Sequence, residues 1–158
     1  MNTASLNEIK KELNTLDPEA VAALCMRLAK YKKENKELLN YLLFEAHHEQ
    51  AYLSSVKENI DEFFTEVPAA NLYLTKKTLR KILRFVNKQI KYSGIVQTEI
   101  ELRVYFCTKI KEARVPLTEG TVLSNLYQQQ LNKINTCLGK LPEDLQADYQ
   151  REIERIAS

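Results

Sequence analysis

The sequence predicts an all-α fold, with about eight antiparallel helices arranged as an α–α superhelix or an irregular bundle. Good helix formers, chiefly Leu, Lys, Glu, Ala, Gln and Ile, dominate the composition. The chain of 158 residues has only three Gly and four Pro, too few for the many turns of a β-sandwich or barrel. Apolar residues also recur at helical intervals along most of the chain. At this length we expect a single domain over residues 1–158.

The first two helices are predicted from their start signals. Ser5 can cap the first helix. The apolar stripe of that helix consists of Leu6, Ile9, Leu13 and Leu16. Asp17 can cap the second helix, in which Pro18 suits the first position and which should end near Tyr31.

The next two helices follow a polar break at residues 32–35 (KKEN). The stretch KELLNYLLFEA that begins at Lys36 is apolar on nearly every side. We therefore expect neighbours to bury it on more than one face, in a central position. Another apolar pattern predicts a helix from about Glu49 to Val67, which Pro68 closes.

The following helix is predicted from about Ala70 to Tyr92, with Gly94 as its C-terminal stop. Residues 95–112 are ambiguous, because apolar and polar residues alternate over 100–106 as in a strand. We predict a helix there, since the chain offers no second alternating run to pair with a strand.

The last two helices follow the loop ARVPLTEG, residues 113–120. The first of them carries an apolar stripe from Val122 to Leu138 and stops at Gly139. Pro142, followed by Glu143, starts the final helix.

The segment LAKYKKENKELLNYLLFEA, residues 28–46, resembles a block of small bacterial all-helical proteins without an assigned function. This resemblance extends over roughly residues 17–94. The layout of helix, KKEN turn and strongly apolar second helix is also similar to one unit of a HEAT-like repeat. The resemblance implies an α–α superhelix, a fold usually employed for binding, and it supplies no catalytic residues.

A basic face on the fifth predicted helix is the candidate binding site. Between Glu66 and Glu99 the chain has no acidic residue but seven cations. Six of these share an arc of roughly 100°, opposite the apolar residues of the same helix and about 20 Å long. They are Lys77, Arg80, Lys81, Arg84, Lys88 and Lys91, called the basic face below. Nucleic acid or another polyanion would suit it. An acidic protein partner is an alternative, and so is compensation within the molecule by the acidic helix of residues 45–66.

Residues that could carry catalysis are few. Glu45 and His48 lie three apart, so on a helix they would share a face, and a metal or enzymatic site near them is a distant alternative. No nucleophile–base pair and no glycine-rich phosphate loop accompanies them. We expect the three separated cysteines to be small buried side chains in a reducing compartment.

Together these patterns predict a cytoplasmic, non-enzymatic interaction module without a cofactor or metal. We expect it to bind a protein or peptide partner, with nucleic acid or another polyanion as the alternative ligand. The net charge of +2 does not indicate a partner by itself. The polar N-terminus lacks an apolar signal core and the apolar runs are short, so we expect no secretion signal and no membrane partner.

Overall fold

The computed structural model describes residues 1–68 and 70–158. Over these ranges the chain forms eight α-helices and one π-helical segment, and none of the described residues lies in a strand. The helices are α1 (Leu6–Leu13), α2 (Pro18–Tyr31), α3 (Lys33–Asn40), α4 (Glu49–Phe64), α5 (Leu72–Ser93), α6 (Val96–Glu112), α7 (Val122–Leu138) and α8 (Glu143–Ala157). The π-helical segment, Tyr41–Glu45, follows α3 directly. The predicted all-α class is confirmed, and so is the helix at 95–112.

The chain divides into two compact units, Met1–Phe44 and Glu45–Ser158. Each is described by itself below. The predicted single domain over residues 1–158 stays a prediction.

The N-terminal unit begins its helices as the sequence predicts. The Ser5 hydroxyl accepts a hydrogen bond from the Glu8 amide at 3.2 Å, and the Glu8 carboxylate accepts one from the Ser5 amide at 2.9 Å, which completes a capping box. The Asp17 carboxylate accepts a hydrogen bond from the amide of Ala20 at 2.8 Å. Because α3 begins at Lys33, the predicted KKEN break is wrong: only Lys32 separates α2 from α3.

The stretch from Lys36 to Ala46 is not buried in the way the sequence predicts. Only Tyr41 in it is buried, whereas Leu42, Leu43 and Phe44 expose 51%, 54% and 69% of their surface. Within the N-terminal unit, α2 is the helix that packs extensively against α3. A single neighbour covers only one face, so a helix that is apolar on several faces leaves the others exposed.

The C-terminal unit is built around α6, which packs against α4, α5, α7 and α8. Its fully buried apolar residues are Ile100, Leu102, Phe106, Cys107 and Ile110. The strand-like alternation of 100–106 therefore belongs to a helix that has neighbours on several sides, where almost every position can be apolar.

Candidate functional site

The N-terminal end of α5 is fixed by polar contacts with the preceding loop. The Asn71 side chain accepts a hydrogen bond from the Leu74 amide at 3.1 Å and so caps the helix. The buried Thr75 hydroxyl lies 2.8 Å from the carbonyl oxygen of Pro68 and 2.9 Å from that of Asn71. One face of α5 then continues into the core through Leu79, Ile82, Val86 and Ile90.

Contacts with α4 fix the remainder of α5. The Phe63 and Phe85 rings meet edge to face at 5.1 Å, and the Tyr52 hydroxyl donates to the Gln89 side chain at 2.6 Å. Gly94 ends α5 in the left-handed conformation, at φ 68°, as the sequence predicts. The rotation of α5 about its own axis is therefore set along its whole length.

The basic face points to solvent, opposite the buried face of α5. All six of its residues are exposed, and Lys88 has contacts of its own. Tyr73, one turn before Lys77, lies in the same arc and exposes 73% of its surface. The six residues share a face as the sequence predicts, while their role in binding stays a prediction.

The contacts between α4 and α6 include charged side chains. Asp61 accepts a hydrogen bond from the Tyr105 hydroxyl and lies 3.2 Å from the ammonium of Lys109. Toward the start of α4, the Lys57 ammonium lies 3.9 Å from the carboxylate of Glu101 on α6.

Five of the six cations of the basic face form no ion pair with α4 in the part of the chain that the structure describes. Across residues 1–68 and 70–158, no carboxylate oxygen lies within 4.0 Å of the charged nitrogens of five of its six members. Those five are Lys77, Arg80, Lys81, Arg84 and Lys91.

A second polar cluster surrounds Tyr105, which the sequence did not single out. The ammonium groups of Lys57 and Lys109 lie 5.3 and 6.0 Å from the centre of its ring. Burial and the hydrogen bond to Asp61 raise the pKa of Tyr105 to about 12, while that hydrogen bond lowers the pKa of Asp61. The residues come from α4 and α6, 44 positions apart, so no local motif marks the cluster.

An open cavity of about 210 Å³ lies beside this cluster. Its charged lining residues are Lys57, Glu101, Glu152 and Arg155. Two cations and two anions nearly balance, so the cavity has no strong preference for either sign of ligand.

Glu45 and His48 do not lie on one helical face. Glu45 ends the π-helical segment, two turn residues follow, and His48 occupies the N-cap position of α4 without capping through its side chain. Among the residues that the structure describes, no group of three or more His, Cys, Asp or Glu side chains could hold a metal ion.

Arg103 forms the main buried polar network of the C-terminal unit, and this network was also missed. The guanidinium donates to Glu99 at 2.8 Å, to Asn87 at 3.0 Å and to the Gln130 side-chain oxygen at 2.7 Å. Gln130 is only 1% exposed, and its amide nitrogen has no partner within the described part of the chain. Arg and Gln are usually surface residues, so composition and spacing do not reveal this network.

The cysteines are free thiols. Cys107 and Cys137 are buried and Cys25 is half-buried. Burial raises the pKa of the Cys107 thiol to about 12 and also raises that of Cys137. Neither buried thiol has the depressed pKa of a reactive cysteine.

Comparison with protein-family models, curated proteins and solved structures finds no significant match to this chain. The bacterial family and the HEAT-like character suggested by residues 28–46 therefore stay predictions. In the described residues, no helix is both long and apolar enough to cross a bilayer.

Proposed function

We propose that this protein is a non-enzymatic interaction module that binds a polyanion, in the first instance nucleic acid, through the basic face of α5. The observation that supports this most directly is a set of five exposed cations on α5. None of the carboxylates that the structure describes lies within 4.0 Å of them, and the rotation of α5 is fixed. The compartment we propose is the cytoplasm.

The spacing of the basic face suits a chain of phosphates. Residues three or four apart on a helix are about 5–6 Å from each other. The length of about 20 Å corresponds to roughly six base pairs of a duplex, at 3.4 Å each. Like charges at this spacing repel one another, and a bound polyanion would relieve that repulsion while releasing its own counterions.

Tyr73 favours nucleic acid over other polyanions. It is an exposed aromatic ring in line with the cations, at the N-terminal end of α5. A base stacked on such a ring contributes about 1–3 kcal/mol, and the contact is insensitive to base identity. A single strand, whose bases are accessible, would use both the ring and the charges.

The proposal is tested by fluorescence anisotropy with a labelled single strand and a labelled duplex over a series of salt concentrations. If five cations neutralise phosphates on a duplex, log K falls with log salt at a slope of about −4.5, or about 500-fold between 50 and 200 mM. Replacing Lys81 and Arg84 by alanine should leave a slope of about −2.7, or about 40-fold over the same range.

A matched control removes the same charge elsewhere. Lys133→Ala combined with Arg151→Ala also deletes one exposed lysine and one exposed arginine, both outside α5. The control should keep the slope of the unmodified protein. Binding that does not weaken with salt, or a slope that both double variants change equally, would refute the basic face as the site.

The acidic protein partner that the sequence offers as an alternative ligand of the basic face is the second candidate, bound at the same cations. Charge attraction would act in the same way, but such a partner has no base to stack on Tyr73. Tyr73→Ala should therefore weaken single-strand binding and leave the binding of polyglutamate unchanged. The opposite result would favour the peptide.

A further inference from the structure

Exposed large hydrophobic side chains are concentrated in the N-terminal unit. Residues 1–44 hold 13 of the 18 such side chains found over the described residues. None of the residues of α1, α2 or α3 is buried. A soluble monomer seldom leaves so much apolar surface in contact with water, and surface of this kind usually marks an interface.

Helix α1 is amphipathic, and its apolar stripe is exposed. Leu6, Ile9 and Leu13 form its apolar stripe and are 85%, 40% and 37% exposed. No other helix packs extensively against α1 among the described residues. A helix of eight residues is marginal in water even with the capping box at Ser5, so α1 needs a surface that stabilises it.

The α2–α3 hairpin offers an apolar groove that α1 of the same chain does not line. The groove has a volume of about 200 Å³. Its apolar lining consists of Cys25, Leu28, Ala29, Leu38, Leu39 and Leu42, with Asn35 as the single polar member. A groove without charged residues resembles the centre of a protein–protein interface.

We propose that the partner covering this face is a second copy of the chain, with α1 of each copy lying in the α2–α3 groove of the other. Both α1 and α3 have eight residues, so each is about 12 Å long. The apolar stripe of α1 therefore matches α3, which forms one side of the groove, in length. Because α1 lies outside the groove of its own chain, each α1 of a two-fold pair can fill the groove of the other copy. Such a pair is closed, so it leaves no free site for further copies.

The apolar area agrees with what a stable dimer requires. The exposed side chains of the α1 stripe and of the groove each contribute on the order of 80 Å², which for six of them amounts to roughly 480 Å² per chain. These six are Leu6, Ile9, Leu13, Leu28, Leu38 and Leu42. A standard interface buries about 800 Å² per partner, of which about 60% is apolar, so about 480 Å² is needed.

The test is the mass of the full chain in solution, measured by sedimentation over roughly a hundredfold range of concentration, since dimerisation follows mass action. The mass should rise to twice the 18.3 kDa of one chain. Ile9→Glu with Leu13→Glu in α1, or Leu28→Glu with Leu42→Glu in the groove, should each raise the dissociation constant roughly a hundredfold, because charges would enter an apolar contact.

A control and a mixing experiment make the test specific. Leu72→Glu with Leu74→Glu introduces the same charges at exposed leucines of the C-terminal unit, which are 49% and 43% exposed, and should leave the mass unchanged. Mixing the α1 variant with the groove variant restores one intact α1–groove contact of the two. The mixture should therefore associate more tightly than either variant alone.

Several results would overturn the dimer. A constant mass of 18.3 kDa for the unmodified chain would show that another partner, or the chain itself, covers the face. Equal loss of association in the control, or no complementation on mixing, would show that contact is not made by α1 in the groove. Loss of association in the α1 variant should not result from unfolding, because no residue of α1 is buried in its own chain.

Discussion

The Arg103 network yields a sharp prediction about the stability of the C-terminal unit. Arg103→Met removes a charged donor from a residue that is 5% exposed and leaves three acceptors behind. The Glu99 side chain is 25% exposed and Asn87 is half-buried, so water can replace the guanidinium at both. Gln130 is 1% exposed. Its side-chain oxygen would lose its partner, as its amide nitrogen already has none among the described residues.

The expected loss in the free energy of unfolding follows from this difference in exposure among the three acceptors. Removing one member of a buried charged pair usually costs about 3–5 kcal/mol, and partial solvation of Glu99 favours the lower end, about 3 kcal/mol. For a protein of this size that corresponds to a melting temperature roughly 6–12 °C lower. Gln130→Leu loses an acceptor of Arg103 but also removes the unpaired amide, so its net cost should be only about 0–1 kcal/mol.

Urea unfolding of the two single variants and the double variant measures the coupling. Arg103→Met with Gln130→Leu should cost about 1–2 kcal/mol less than the sum of the single changes, because the orphaned amide is gone. The network would contribute nothing as a unit if the two changes were additive. The same conclusion would follow if the free energy of unfolding of Arg103→Met were within about 0.5 kcal/mol of that of the unmodified protein.

Three further predictions concern other parts of the chain. The pKa of Asp61 is lowered in the folded state, so its stabilising effect should be present above pH 3.8 and fade as the pH falls below that. The difference between Asp61→Asn and the unmodified protein in urea should accordingly shrink in acid, and a constant difference contradicts this. In the folded protein Cys25 should react with a thiol reagent well before Cys107, whose pKa is about 12, and equal rates would be inconsistent with burial. Gly94→Ala should cost about 1 kcal/mol through backbone strain alone, because no atom of the described residues lies within 4 Å of the added carbon; an unchanged unfolding midpoint would contradict it.

The parts of the fold that the sequence predicted correctly depend on local chemistry. Capping at Ser5 and Asp17 and the stop at Gly94 each involve residues within four positions of one another. The shared face of the six cations likewise follows from helical geometry alone. Such features need no knowledge of the neighbours.

The features that sequence reasoning missed depend on which helix lies next to which. The exposure of Leu42 and Phe44 reflects the number of helices around them, and apolar periodicity does not report that number. The side of α4 that faces each neighbour depends on the rotation of α4, and Asp61 turns toward Tyr105 on α6. The burial of Arg103 likewise requires three acceptors from α5, α6 and α7 to converge.

The position of α6 at the centre of its unit has a consequence for biosynthesis. A ribosome completes α4 and α5 first, and 19 further residues lie between Ser93 and Glu112, where α6 ends. At about 5–20 residues per second, translation of that stretch takes roughly 1–4 s. During this interval the nascent α4–α5 pair lacks its main covering, so slow decoding over residues 94–112 should lower the yield of native protein by favouring aggregation.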